Sequence, residues 1–303
     1  MLGVVIIIKS DPMNQTQEIL KQIKKLEIST KYLVNELITG NYHSAFKGQG
    51  IEFSELREYR SGDDIRSIDW NVTARYNQPY VKEYVEERDL QVYFLLDMSS
   101  SGSFGNKIPK KRKALEIVAS LMFAALRNND NIGIFLFTDK IEKFIPARKG
   151  KKHALQILSS VISFEPKSKT TNLKTTLAKV SQILKKRCIL FILSDFFDSN
   201  DYLKPLKILR RKHDVIILKI SDLREQEIPE IGLIQLEDEE TGEQILVDTS
   251  DPLFQKKYTA IVSNHESQLM LNLIKLKVDF IKILSDENYE TPLRKFFKKR
   301  IRR

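Results

Sequence analysis

Gln91–Lys107 reads QVYFLLDMSSSGSFGNK, and the fold follows from how this stretch is understood. Gln91 to Leu96 is a continuous apolar run, the texture of a strand covered on both faces. It delivers Asp97 to the strand's end, and Ser99 and Ser101 follow at alternate positions in a loop of small residues. Ligands of an open parallel sheet bind beyond the carboxyl ends of its strands, and a carboxylate with two hydroxyls there is an all-oxygen group suited to a hard divalent cation. A Ser/Gly-rich turn in which Asp97 caps the next helix accounts for the same residues, so the loop alone leaves both readings open.

The same apolar texture recurs at Ile132–Phe137, Cys188–Leu193 and Val215–Ile220. Helical spacing fills the intervals at Pro109–Arg127, Lys151–Ile162, Leu173–Lys185 and Tyr202–Lys212. This alternation predicts an α/β fold with a doubly wound, mostly parallel sheet. Ile141–Pro146 is expected to add a short edge strand, stopped by Pro146. Two further segments converge on the Asp97 loop. The run Cys188–Leu193 ends in Ser194 and Asp195, bringing a second carboxylate to the same edge. Lys169-Thr170-Thr171-Asn172 opens the next helix, with a threonine hydroxyl available to the crevice and Thr171 or Asn172 as the cap.

At 303 residues, with 42% hydrophobic and 30% charged residues, the chain is long enough for two domains or one with substantial additions, and its balance is that of a soluble globular protein. Its single cysteine, Cys188, sits inside an apolar run, which excludes a disulfide framework and a thiolate zinc site and fits a reducing, cytoplasmic setting. The opening MLGVVIIIKS is too short to span a bilayer and lacks the basic front of a signal peptide; it reads as an upstream start before Met13. A formal charge of +10 suits an acidic partner. The clusters Lys107–Lys113, Lys149–Lys152 and Arg294–Arg303 carry no aromatic stacking pattern, so they read as solvated helix faces and a flexible end. No nucleic acid is expected, and a peripheral membrane contact stays open.

Upstream, Thr16–Leu37 has the spacing of one amphipathic helix or two short ones, and then the texture changes. Between Glu52 and Arg75 acids and bases alternate closely around Phe53, Leu56, Tyr59, Ile65, Ile68 and Trp70, which predicts a compact ion-pair network with a buried Trp70. The run from Gly48 to Arg75, GxGxEFxELREYxxGDDxRxIDWNxTAR, followed by VKEYVEERDLQV and the Asp97 strand, resembles the bacterial family called domain of unknown function 58. The resemblance continues through Arg127–Asp130, Ile132–Phe137, Ser194-Asp195-Phe196, His213-Asp214 and Asp248-Thr249. It implies a von Willebrand factor A-like domain embedded in the chain and action together with a MoxR-type AAA+ ATPase.

The loops at the sheet edge, in turn, resemble the metal-ion-dependent adhesion site of von Willebrand A domains. By motif position that resemblance implies Asp97, Ser99, Ser101, Thr171 and Asp195 as ligands of magnesium or manganese, with Thr170 the neighbouring candidate because Lys169-Thr170-Thr171 replaces the usual Gly-Gly-Thr. Such a site leaves one position for an acidic side chain on a partner protein, and so implies an adaptor rather than an enzyme. The competing expectation is a metal-dependent hydrolase or phosphotransfer enzyme using Asp97 and Asp195. No Gly-Lys-Ser/Thr adjacency follows Gly102, and His43, His153, His213 and His265 lack ligand spacing. After the sheet, Leu233–Leu236 and Gln244–Val247 predict a hairpin turned by Gly242, Pro252–Leu276 a helix, and residues from Thr291 a basic tail docked by Phe296 and Phe297. The expected divisions are 1–88 as helical and charged extension, 89–222 as the von Willebrand A-like domain, and 223–303 as hairpin, helix and tail.

Overall fold

The computed structural model describes residues 21–31, 51–86, 90–103, 109–198, 200–225, 228–238 and 242–301. The opening segment and most of Thr16–Leu37 therefore lie outside the described residues, as does Lys107. A six-stranded sheet organises the chain, built from β3 (Gln91–Asp97), β4 (Asn131–Phe137), β5 (Ile141–Arg148), β6 (Ile189–Ser194), β7 (Asp214–Ser221) and β10 (Asp279–Leu284). Its order is β10-β7-β6-β3-β4-β5, parallel throughout except where β5 returns against β4. The fold is thus mixed α/β with a doubly wound, mostly parallel sheet.

Alternate residues of each strand enter opposite layers. Val92, Phe94 and Leu96 of β3 face one core, which holds α1 (residues 21–31), α3 (Lys110–Arg127), α4 (Lys151–Ile162) and α8 (Glu290–Ile301). Tyr93 and Leu95 face the other, with α5 (Leu173–Ile183), α6 (Leu203–Lys212) and α7 (Pro252–Leu276). Burial on both faces is why these strands carry continuous apolar runs. Connections leave β3 and β6 towards opposite layers, so the gap between their carboxyl ends is a topological switch point, where an open sheet leaves a crevice.

Pro146 does not stop β5, which runs on to Arg148. The register shifts between Ile132 and Ile134 of β4, so Pro146 and Ala147 together oppose Gly133, and the bulge absorbs the residue that cannot donate to the ladder. Gly133 is required there: a Cβ would lie 2.4 Å from Cε1 of Tyr93 and 2.9 Å from the Ala147 nitrogen, while the Tyr93 hydroxyl accepts from that same nitrogen at 3.2 Å.

Two parts of the chain differ from the sequence expectation. Strand β10 joins the sheet edge beside β7, so the sheet reaches well past residue 222, and the basic tail is the helix α8, whose Leu293 and Phe297 are fully buried. The hairpin of β8 (Leu233–Glu237) and β9 (Gln244–Asp248) stands apart from this sheet, turned by Gly242 at φ 75°. Residues Glu52–Arg75 are not a network around a buried tryptophan. They form β1 (Ile51–Glu58), which pairs antiparallel with β2 (Tyr80–Glu86), and α2 (Trp70–Tyr76), and Trp70 is 65% exposed. Ile65 is exposed as well, because among the described residues no second layer covers the two-stranded ribbon and its short helix. Its charges are used locally: Arg57 forks onto Asp63 at 2.7 and 2.9 Å, and Asp69 caps α2 while pairing with Lys82 at 3.0 Å.

Helix direction explains where the positive charge lies. Helices α5 to α8 all end at the amino-terminal edge of the sheet, where Arg211, Lys212, Lys275, Lys277, Lys298 and Lys299 are exposed. Cations there complement the helix dipoles. Because β5 is antiparallel, Lys149–Lys152 also falls at this end, away from the Asp97 loop. Lys110 and Lys113 are buried instead of lying on a solvated helix face, and Lys113 donates to the Glu287 carbonyl at 3.0 Å.

Candidate metal centre

Three loops meet beyond the carboxyl ends of β3 and β6, and hydrogen bonds tie each to another. Ser194, the last residue of β6, donates through Oγ to Asp97 Oδ2 at 2.7 Å. Ser100 donates through its backbone N–H and its hydroxyl to the Lys169 carbonyl, at 3.1 and 3.0 Å. Asp198 accepts the Leu173 N–H at 2.6 Å, joining the loop after β6 to the start of α5, where Asn172 supplies the cap. The partners are up to 97 residues apart in sequence, so the site exists only in the folded chain.

Asp97, Ser99, Ser101 and Asp195 line one cavity of about 30 Å³ at this junction, with Ser194, Lys110, Lys111 and the apolar Leu96, Ala114, Leu193 and Ile220. That is room for a water-sized occupant. Asp97 Oδ1 accepts the Ser99 N–H at 3.1 Å, and Ser99 Oγ lies 3.1 Å from Ser101 Oγ. Asp97 thus braces its own turn; it does not cap α3, whose preceding residue is Pro109. Thr171 is half-buried on the neighbouring segment and does not line the cavity, while Thr170 is exposed with Oγ1 3.1 Å from Ser168 Oγ.

The electrostatics single out Asp97. Its accessible surface is intermediate because it faces the cavity, yet desolvation by the surrounding protein, and then the nearby Asp195 carboxylate, push its pKa up to about 7 against the donors Ser194 and Ser99. Two carboxylates and two hydroxyls facing one small cavity form a hard oxygen donor set, and this chemistry fits magnesium or manganese. The residues present therefore fit the ion, with Thr171 the one member of the set that does not line the cavity.

The roles of Ser194, Lys110 and Glu225 were not anticipated from the sequence. Ser194 orients Asp97 and in turn accepts the Phe196 N–H at 3.1 Å, with Phe196 held at φ 57°. Lys110, the first residue of α3, places Nζ 3.1 Å from Asp195 Oδ2 and 2.5 Å from Glu225 Oε1. Burial opposes its charge, but Asp195 and Glu225 hold its pKa above the ordinary lysine value. The one sequence signal for Lys110 is its place in the first turn of a helix, where a cation opposes the dipole. Of the histidines noted earlier, His213 is buried with Nδ1 3.3 Å from Cys188 Sγ at the far end of the sheet, and its neighbour Asp214 pairs with Arg300.

Residues 55–268 match the family model described as protein of unknown function DUF58. An uncharacterized protein of Mycobacterium tuberculosis, Rv1480, is 25% identical over 284 residues, which cover 92% of this chain and 89% of that one. YeaD of Bacillus subtilis, also uncharacterized, is 26% identical over 105 residues, 35% of this chain and 24% of that protein. Among solved structures, BatB from Bacteroides thetaiotaomicron aligns over 71% of this chain and all of its own, at 12% identity and a TM-score of 0.46. The von Willebrand A domain of SpRpn10 aligns over 44% of this chain and 76% of its own, at 16% identity and a TM-score of 0.33.

Proposed function

The chain belongs to the DUF58 family of proteins of unknown function, and from that membership together with the pocket at the switch point we propose that it is a divalent-metal-dependent protein-interaction module, not an enzyme. The observation that carries this reading is the meeting of Asp97 and Asp195 with two serine hydroxyls in one small cavity. Asp97, Ser99, Ser101, Thr171 and Asp195 would hold magnesium or manganese, and the ion would supply an open coordination position to a carboxylate from another protein. The partner class is a protein with an exposed acidic residue, and a MoxR-type AAA+ ATPase is the one proposed, with this chain as its adaptor or cofactor in the cytoplasm. Among the described residues no helix is long and apolar enough to cross a membrane.

A single carboxylate contact in water contributes little unless a surrounding interface excludes solvent, so specificity rests on the rim of the pocket as well as on the ion. Magnesium calorimetry on the purified chain and on Asp97→Ala tests the reading, followed by affinity capture from the native host with and without magnesium. Binding is expected in the parent chain and absent in folded Asp97→Ala, with the ATPase recovered only with magnesium and less of it at high salt. Magnesium-dependent phosphoester hydrolysis lost in both Asp97→Ala and Asp195→Ala would overturn the adaptor in favour of an enzyme.

A further inference from the structure

Lys110 is 4% exposed and enters the same cavity from the start of α3. A lysine at a helix's first turn faces the positive end of the dipole, and burial strips its water, so it stays charged there only against well-placed carboxylates. Asp195 and Glu225 provide them, at 3.1 and 2.5 Å. Glu225 is itself anchored: its Oε2 accepts the Asp222 N–H at 3.0 Å, and Asp222 Oδ2 accepts from Ser285 at 2.7 Å. The shorter contact is thus to the carboxylate that lies outside the proposed ligand set.

We propose that Lys110 is the resident counter-ion of this pocket and that a divalent cation enters by exchange, taking Asp195 while the ammonium withdraws onto Glu225. This rests on the metal reading of Asp97 and Asp195. An ammonium and a divalent cation on one carboxylate repel at contact distance, so the two occupants exclude one another. Lysine occupancy keeps the metal-free pocket neutralised and folded. It also sets the metal concentration at which the interaction face is completed, which makes Lys110 a determinant of affinity without being a ligand.

Calorimetry with magnesium alone on the parent chain, Lys110→Met and Asp97→Ala tests the exchange. Lys110→Met should bind at least about tenfold more tightly than the parent, and Asp97→Ala should not bind. A parent chain that fails to bind beside a Lys110→Met chain that binds, provided Asp97→Ala in that background abolishes it, supports the same conclusion. Weaker or unchanged binding in Lys110→Met overturns the exchange and leaves the metal reading standing. Equal binding in Asp97→Ala, or none in any chain, removes the metal reading and the exchange with it. Should Lys110→Met fail to fold, amine acetylation of the parent chain mapped by mass spectrometry decides: Lys110 should react faster with magnesium present, and an unchanged rate under conditions where magnesium binds overturns the exchange.

Discussion

Ser194→Ala is the sharpest probe of how the sheet supports its pocket. The hydroxyl donates to Asp97 Oδ2 at 2.7 Å and accepts the Phe196 N–H at 3.1 Å, and both Ser194 and Phe196 are buried. Removing it deletes a hydrogen bond to a carboxylate, which contributes about 1.5–3 kcal/mol, and orphans a buried N–H, which costs about 1–3 kcal/mol. Since the two losses share one site and partial relaxation is expected, the working figure is about 3 kcal/mol. With m for urea of about 3 kcal/mol/M, that lowers the unfolding midpoint by about 1 M without changing the slope. Ser100→Ala removes a bond to Lys169 that is open to solvent, and should cost under about 1 kcal/mol. Magnesium affinity should also fall in Ser194→Ala, by roughly 10- to 100-fold, because Asp97 loses the group that orients it. Urea unfolding of both variants in chelator, with calorimetry on the same samples, gives the answer. A Ser194→Ala midpoint within about 0.2 M of the parent would refute the account of Ser194 as a strut.

Other outcomes follow from the same packing and charges. Gly133→Ala drives a methyl to 2.4 Å from the Tyr93 ring with the Ala147 backbone behind it, so urea unfolding should show a loss of about 1–3 kcal/mol; this should shrink without vanishing in a Tyr93→Ala background, where the ring is gone but the Ala147 nitrogen still lies 2.9 Å from the methyl. Trp70→Ala should shift thermal unfolding by no more than the equivalent of about 0.5 kcal/mol, since the side chain is 65% exposed, and a large drop would show that it is covered. His213 has its pKa lowered from 6.5 to about 4, chiefly by burial and then by Lys212 and Arg187. Between those values the unfolded chain binds the extra proton, so stability rises with pH; it is complete above about pH 6.5 and lost as pH falls towards 4, by up to about 3 kcal/mol. His213→Gln should flatten that window in unfolding measured from pH 4 to 7, and an unchanged pH slope would contradict it.

Much of the fold is legible without coordinates because burial on both faces of a parallel sheet writes itself into contiguous residues. The strands β3, β4, β6 and β7 lie within a residue or so of their apolar runs, and the Asp97, Ser99 and Ser101 loop is read directly because its members are neighbours in the chain. Strand β10 has a weaker signature: it lies at the sheet's edge, and Lys282 divides its run DFIKIL into two apolar pairs, whereas β7 keeps four apolar residues, Val215–Leu218, ahead of Lys219. Alternating charges around aromatic residues predict a buried Trp70, but that pattern says how much area the side chain can cover and not whether a second layer covers it.

What the amino-acid order settled by itself is therefore local: which segments are buried strands, where each ends, and which oxygens follow it. Tertiary structure decided the rest of the pocket. Lys110 sits in a basic run indistinguishable in sequence from a solvated helix face, and only the return of the chain 85 and 115 residues later supplies the carboxylates that hold its charge in the cavity. Direction was likewise invisible, since β5, the one antiparallel member of the six-stranded sheet, carries Lys149–Lys152 to the opposite end of that sheet. Periodicity records whether a residue is buried; the group that meets it there depends on strand order and direction, which arise from pairings between distant segments.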